Sequence, residues 1–347
     1  MKKRWGAAFQ IAAVYVGTVV GAGFATGKEI VEFFSRYGFI GFISILISGY
    51  LFIYLGSKLM RMGARLQARS YQELNDFLFG KWVGRGINAL MLIMLLGVSA
   101  VMLSGAGAIF EEQLGFAKET GIFATIFLSI VVMVIGTKGL YAVNTFVVPM
   151  MISFSLFLMF FSVRDPRFID HLLFTPYTKY AWKSFVAPFS YTAFNLALAQ
   201  AVLVPIATEV KDDWAIKWGG LLGGAALTII LASSHFTLIM LPGFVQYDIP
   251  MAYIMKNVAE GLYWIYVLVI YGEIFTSVIG NVFGLERQLK KYVSLPTVIT
   301  VSAIFVVTYF ISLVNYGTLL SFMYPIFGYA SLAFIVLLWI KPLPKVE

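Results

Sequence analysis

The sequence has no cysteine and only two histidines, His171 and His235. Disulfides and thiolate metal sites are therefore excluded. The histidines are far apart, and neither a P-loop nor a nucleophile motif occurs. Enzyme chemistry lacks its ingredients, and ATP-driven transport is excluded for this chain alone. Charge is scarce as well: 12% of the 347 residues are Asp, Glu, Lys or Arg, against about 25% in a soluble globular protein. With 60% hydrophobic residues and a mean hydropathy of +0.87, the composition is that of a polytopic membrane protein. The net charge of +8 is no sign of nucleic-acid binding until it is divided between the two membrane faces. Met1–Lys2–Lys3–Arg4 is a basic start with no small-residue cleavage site after it, so the first segment is expected to be a retained helix.

What is present is apolar sequence in ten runs, about 5–35, 38–62, 83–110, 119–137, 140–163, 184–208, 214–241, 258–284, 294–313 and 317–340. The turn signal Asn315-Tyr316-Gly317 separates the last two. With the N-terminus inside, 17 of the 25 basic residues fall on the inner face, the positive-inside bias, and an even number of spans puts both ends there. That predicts a bacterial cytoplasmic membrane location with both termini cytoplasmic. Trp5, Trp82, Trp182, Trp214, Trp218 and Trp339 stand near segment ends, as interfacial anchors or as lipid-facing bulk. In the 63–82 connector, Ser70 and Glu73 have capping-box spacing. The 242–257 connector, with Pro242-Gly243 and Pro250, is a candidate external lid.

The first run is about 30 residues, roughly 45 Å as one helix, longer than a hydrocarbon core of about 30 Å. At its centre lies GTVVGAGFATG, Gly17 to Gly27. Glycine weakens a helix interior, so the run is expected to form two half-helices around an unwound turn. A break at membrane depth must line a cavity or find partners for its freed backbone groups. The plainer alternative is a small-residue helix contact through Gly17 and Gly21. Ten segments divide five and five into one transmembrane domain, repeat one over about 5–163 and repeat two over about 184–341. An odd number of spans per half inverts the second half, as in secondary transporters built around a midplane site. Segment six should then be broken as well, near Tyr191-Thr192-Ala193-Phe194-Asn195, although no glycine stands there.

Few polar residues lie inside the runs. Glu273 is the one acid well within a span, where a carboxylate must be paired, protonated or bound to a cation. Thr276 and Ser277 follow it on the same helical face, and Asn281 comes one turn later as an interhelical bonding residue. Thr192 and Asn195 are candidates either to touch solute or to pack. Glu29 and Glu32 could pair with Lys28 and Arg36 as an external gate, or form a solvated helix end. His235 reads as a satisfied bundle histidine. Ser99 and Ser104 line a cavity or serve packing.

The run VGTVVGAGFATGKEIVEFF, Val16–Phe34, resembles the first helix of the YkvI-type bacterial membrane proteins, and YTAFN (Tyr191–Asn195) with VLVPIATEV (Val202–Val210) is similar to their sixth. That family in turn resembles the amino acid–polyamine–organocation superfamily with the LeuT fold. The resemblance implies an all-α fold of about ten helices in a 5+5 inverted repeat, with helices 1 and 6 discontinuous. It implies that amides of Gly21, Ala22 and Gly23 hold a solute carboxylate, with Phe24, Thr192, Phe194 and Asn195 on the solute side. It implies a sodium site from the carbonyls of Gly17 and Val20 and the hydroxyls of Thr276 and Ser277, with Glu273 beside it. Phe24 stands where a second sodium site would need asparagine, and segment five lacks the lysine that replaces sodium in some relatives. The function expected is secondary transport of a small amino-acid-like or amine solute coupled to sodium or protons. No cofactor is expected beyond a bound Na+, or H+ at Glu273. The partners are the solute, the cation and the lipid bilayer, with no nucleic acid. A transporter-fold receptor and an ion channel are the alternatives.

Overall fold

The computed structural model describes residues 2–176, 182–210, 212–247, 249–290, 292, 294–314 and 316–344. Helices stand on all ten apolar runs. In chain order they are α1 (Lys2–Val19), α2 (Ala22–Ala25), α3 (Lys28–Phe33), α4 (Phe39–Leu51), α5 (Ser57–Arg65), α6 (Tyr71–Phe79), α7 (Lys81–Glu112), α8 (Lys118–Ile135), α9 (Thr137–Val163), α10 (Phe168–Leu173), α11 (Trp182–Val210), α12 (Asp213–Leu238), α13 (Pro250–Val258), α14 (Tyr263–Leu289), α15 (Thr297–Ser312), α16 (Tyr316–Ala330) and α17 (Leu332–Ile340). Among the described residues, eight stretches are long and apolar enough to cross a membrane. The two runs outside that set are the first, which is broken, and α15, which has 16 residues. Asn315 of the expected turn and Asp248 of the expected lid lie outside the described residues.

The first run breaks twice rather than once. α1 stops at Val19 and α2 opens at Ala22. A second bend at Gly27, where φ is +85°, turns the chain into α3. That left-handed backbone suits glycine. Segment six corrects the expectation of a second discontinuous helix, because α11 runs unbroken over 29 residues. Pro188 cannot donate to the carbonyl of Ser184 four residues back. Ser44 Oγ donates to that carbonyl instead, at 2.9 Å. Asn195 Nδ2 donates to the Tyr191 carbonyl at 3.0 Å, within the stretch expected to unwind.

The packing follows small residues and pairs the two halves. α1 packs on α12 as α11 packs on α4 and α5, and α1 meets α9 as α11 meets α16 and α17. α7 packs against both α14 and α8. The GGLLGG run of α12 is what lets it sit between neighbours. A Cβ on Gly219 or Gly223 would stand 2.6 Å from Ile11 or Tyr15 of α1, and one on Gly220 or Gly224 would stand 2.6 Å from the backbone of Ser57 or Ile53. In the π-turn Phe52–Gly56, which joins α4 to α5, the Phe52 carbonyl accepts from the buried Tyr15 hydroxyl at 2.9 Å. One end of the bundle is tied by forked ion pairs, Arg4–Asp212 and Arg61–Asp213, and by Arg287–Glu209. The capping box at α6 forms only in part. Glu73 accepts from the Arg69 amide at 2.6 Å, while Ser70 Oγ makes no cap bond.

Candidate functional site

The break in the first run supplies two neighbouring sites. Its freed carbonyls turn toward α14. Ser277 Oγ donates to Val20 O at 2.8 Å, and Thr276 Oγ1 is 3.2 Å from Gly17 O and 2.9 Å from Glu273 O. Glu273 is fully buried, and neither of its carboxylate oxygens has a hydrogen-bond partner. Gly17, Val20, Thr276 and Ser277 are thus gathered at one place, with Glu273 one helical turn before the two hydroxyls on α14. Sequence reasoning missed Asn144 of α9. Its side chain is fully buried against Gly17, its Nδ2 donates to Leu140 O at 2.8 Å, and its Oδ1 is unpartnered. A buried amide inside an apolar run was the available signal. The result is a cluster of oxygens, one of them carboxylate, with no cationic side chain to balance it among the residues named. Hard oxygen ligands of this kind suit a small cation.

The second site is a small, deep cavity of about 20 Å³, room for a water molecule or two. Its walls include Gly21, Phe194, Asn195, Met102, Ser277 and Tyr324. Of the expected solute residues, Gly21, Phe194 and Asn195 reach it. Phe24 is fully buried in the apolar core, Thr192 is buried with its hydroxyl unpartnered, and neither lines the cavity. Gly23 packs under Glu29 and Leu320. Ala22 opens α2, and its side chain lies outside those described. Ser99 bonds its own helix at Leu95 O, Ser104 donates to Val314 O, and Asn281 lines the cavity.

Glu29 departs from expectation. Rather than ending a solvated helix or pairing with Lys28, it is 2% exposed and lines the cavity, and its Oε1 has no hydrogen-bond partner. The bend at Gly27 turns α3 so that its first turn faces inward. Lys28 points the other way, to the carbonyls of Val245 and Tyr247. The expected Glu32–Arg36 pair does form, at 2.5 Å. It lies in a vestibule of about 110 Å³ that also holds Lys183 and Tyr329. Aromatic pairs pack beside both. Tyr191 packs on Phe33 and Phe34 with ring centres 5.1 and 4.8 Å away, and Tyr324 packs on Phe194 at 4.7 Å. His235 shares a hydrogen bond with Ser35 through Nδ1 and stacks on Phe42, while its buried Nε2 has no partner, so it is only half satisfied.

With this geometry described, the chain can be compared with known proteins. No protein-family model matches it. Among solved structures, it is similar to a Na+-coupled sialic acid symporter in a substrate-bound outward-open state, with a TM-score of 0.71 and 10% identity over 96% of this chain and 79% of that one. It is similar to MhsT in complex with L-phenylalanine, with a TM-score of 0.65 and 17% identity over 90% and 80%. It is also similar to a manganese transporter of Eremococcus coleocola, with a TM-score of 0.64 and 13% identity over 97% and 76%. These likenesses establish the LeuT-type helical fold. In sequence, the protein YyaD of Bacillus subtilis is 23% identical over 98% of both chains. The membrane protein YkvI of Bacillus subtilis is 48% identical over 99% of both chains. At that identity over nearly the whole of each chain, the protein belongs to the YkvI family of membrane proteins.

Proposed function

We propose that the protein is a secondary active transporter that moves a small amino-acid-like or amine solute by alternating access, coupled to sodium or protons, in a bacterial cytoplasmic membrane with both termini inside. The observation that carries this reading is the junction of α1 and α14. Two backbone carbonyls meet two hydroxyls there, beside a buried carboxylate with no partner. A bare carboxylate at that depth costs several kcal/mol. A bound cation or a proton removes the cost, so the site is built to bind one and release it. Sodium is favoured because the hydroxyls and carbonyls add oxygen ligands that a proton does not need. The small size of the cavity lined by Gly21, Asn195, Ser277 and Tyr324 supports a contracted stage of such a cycle. The similar solved structures bind solutes as different as L-phenylalanine and sialic acid, so the solute must be argued from this cavity itself.

The test is gradient-driven accumulation. Purified protein is screened by thermal stabilisation against amino acids and amines, with and without sodium. Any stabilising solute is then offered, radiolabelled, to liposomes carrying an inward sodium or proton gradient. Accumulation that collapses with the gradient is expected. Binding with no uptake under either gradient refutes transport.

A further inference from the structure

We infer that the solute is a cationic amine without a free carboxylate, and that Glu29 is its counter-ion in the small cavity. This deepens the transporter reading and rests on it. Glu29 is an ionisable group 2% exposed, yet its Oε1 has no hydrogen-bond partner. Among the described residues lining the cavity none is basic. The polar side chains that face this carboxyl, Tyr191 and Asn195, are both uncharged. A carboxylate removed from water needs a positive or donating partner for each oxygen, and the cavity that Glu29 lines can admit one. An ammonium group supplies charge and three donors, enough for Oε1 with donors to spare for the neighbouring oxygens.

The rest of the cavity suits the same class. The faces of Phe194 and Tyr324 offer cation–π surface to the charged end of an amine and apolar surface to its body. Met102 is a flexible wall that yields as the volume grows. A solute carboxylate is disfavoured on two counts. It would enter a desolvated space that already holds one carboxylate. It would also find the approach to the short helix α2 blocked, because Glu29 Oε2 lies 2.8 Å from the position of a Cβ on Gly23.

The experiment uses sets of ligands sharing one skeleton on the full-length purified protein. The sets are 2-phenylethylamine, L-phenylalanine and 3-phenylpropionate, and isobutylamine, L-valine and isovalerate. Thermal stabilisation and competition binding are read at neutral pH. The amine of a set should bind at least about tenfold more tightly than its amino acid, with no response to the carboxylate. Glu29→Gln should weaken amine binding at least about thirtyfold, the loss expected when one member of a buried charge pair is removed. Glu29→Asp should recover part of the affinity. The sodium-induced shift in melting temperature serves as the control for folding, since it reads the α1–α14 junction and should persist in Glu29→Gln. Amino acids binding as tightly as their amines, unchanged amine affinity in Glu29→Gln, or no response to either amine each overturn the inference. Gradient-driven uptake of an amino acid would in that event leave the transporter reading standing.

Discussion

Gly17 is the point where the cation cluster is most sensitive to one added methyl group. A Cβ there would lie 1.7 Å from Asn144 Oδ1, 2.8 Å from its Cγ and 3.2 Å from Val148 Cγ2. Asn144 is fully buried and anchored by its 2.8 Å bond to Leu140 O, so it cannot yield without breaking that bond. Overpacking of this kind costs about 1–3 kcal/mol, and the lost hydrogen bond about 1 kcal/mol. Replacing glycine inside a helix returns up to about 1 kcal/mol. Gly17→Ala should therefore destabilise the protein by about 1–3 kcal/mol. In an Asn144→Ala background the obstacle is gone, and the same change should be neutral or slightly stabilising. The expected coupling between the two positions is about 2–4 kcal/mol, well outside ordinary additivity. Denaturant unfolding of the four proteins in one detergent measures it, and a sodium titration of each reports whether displacement of the Gly17 carbonyl weakens the cation site. Equal loss of stability in both backgrounds would refute the reasoning.

Glu273→Gln mimics the protonated acid, so it should fold and exchange solute but fail to accumulate it against a gradient; full concentrative uptake removes Glu273 from the mechanism. At the bundle end, bonding to Arg4 and to the amides of Ala215 and Trp214 pulls Asp212 down to about 2. A depressed carboxyl adds stability above its unfolded value near 4, and that gain is lost as pH falls toward 2. The melting temperature of the parent should thus exceed that of Arg4→Gln above pH ~4 and converge with it near pH ~2, and a constant gap across that window contradicts the pairing. A single cysteine at Lys2 or Lys345 should resist an impermeant thiol reagent in intact cells, and labelling from outside rejects the proposed orientation.

The elements legible in the sequence were those whose cause is local. The break in the first run was visible because Gly17, Gly21, Gly23 and Gly27 weaken one helix that was already too long for a membrane. The meeting of Thr276 and Ser277 with Gly17 and Val20 came from the family resemblance, and the structure brings these residues into contact. Segment six shows the opposite case. Its place opposite segment one in the repeat suggests breakage, but the helix continues, and the carbonyl that Pro188 leaves free is satisfied by Ser44, some 140 positions earlier in the chain. No local pattern reports such a partner. Glu29 was hidden for a related reason. Three residues past a helix break, beside Lys28 and before Glu32, it has the local look of a solvated end. Its burial depends on the bend at Gly27, which sends Lys28 outward and Glu29 inward. Asn144 needed the opposing glycine to give it meaning.

On the proposed transport function, the two acids belong to neighbouring sites that share the α1–α2 break, and this bears on coupling. Ser277 lines the solute cavity while its hydroxyl holds Val20 O of the cation cluster. Gly21, the residue after Val20, lines the cavity too. A solute that displaces Gly21 or turns the Ser277 hydroxyl therefore acts directly on two of the cation's candidate ligands, with no long relay between the sites. The energetic logic is reciprocal. A cation that draws the Gly17 and Val20 carbonyls toward α14 fixes the α1–α2 junction, and so fixes the wall against which the solute rests. Part of the ordering cost is then met before the solute arrives, and affinity for each ligand rises in the presence of the other. On the proposed transport function, coupling is accordingly expected to reside in the few residues from Gly17 to Gly21 and their contacts with Thr276 and Ser277, with Glu29 and Glu273 expected to select the charges admitted at each site.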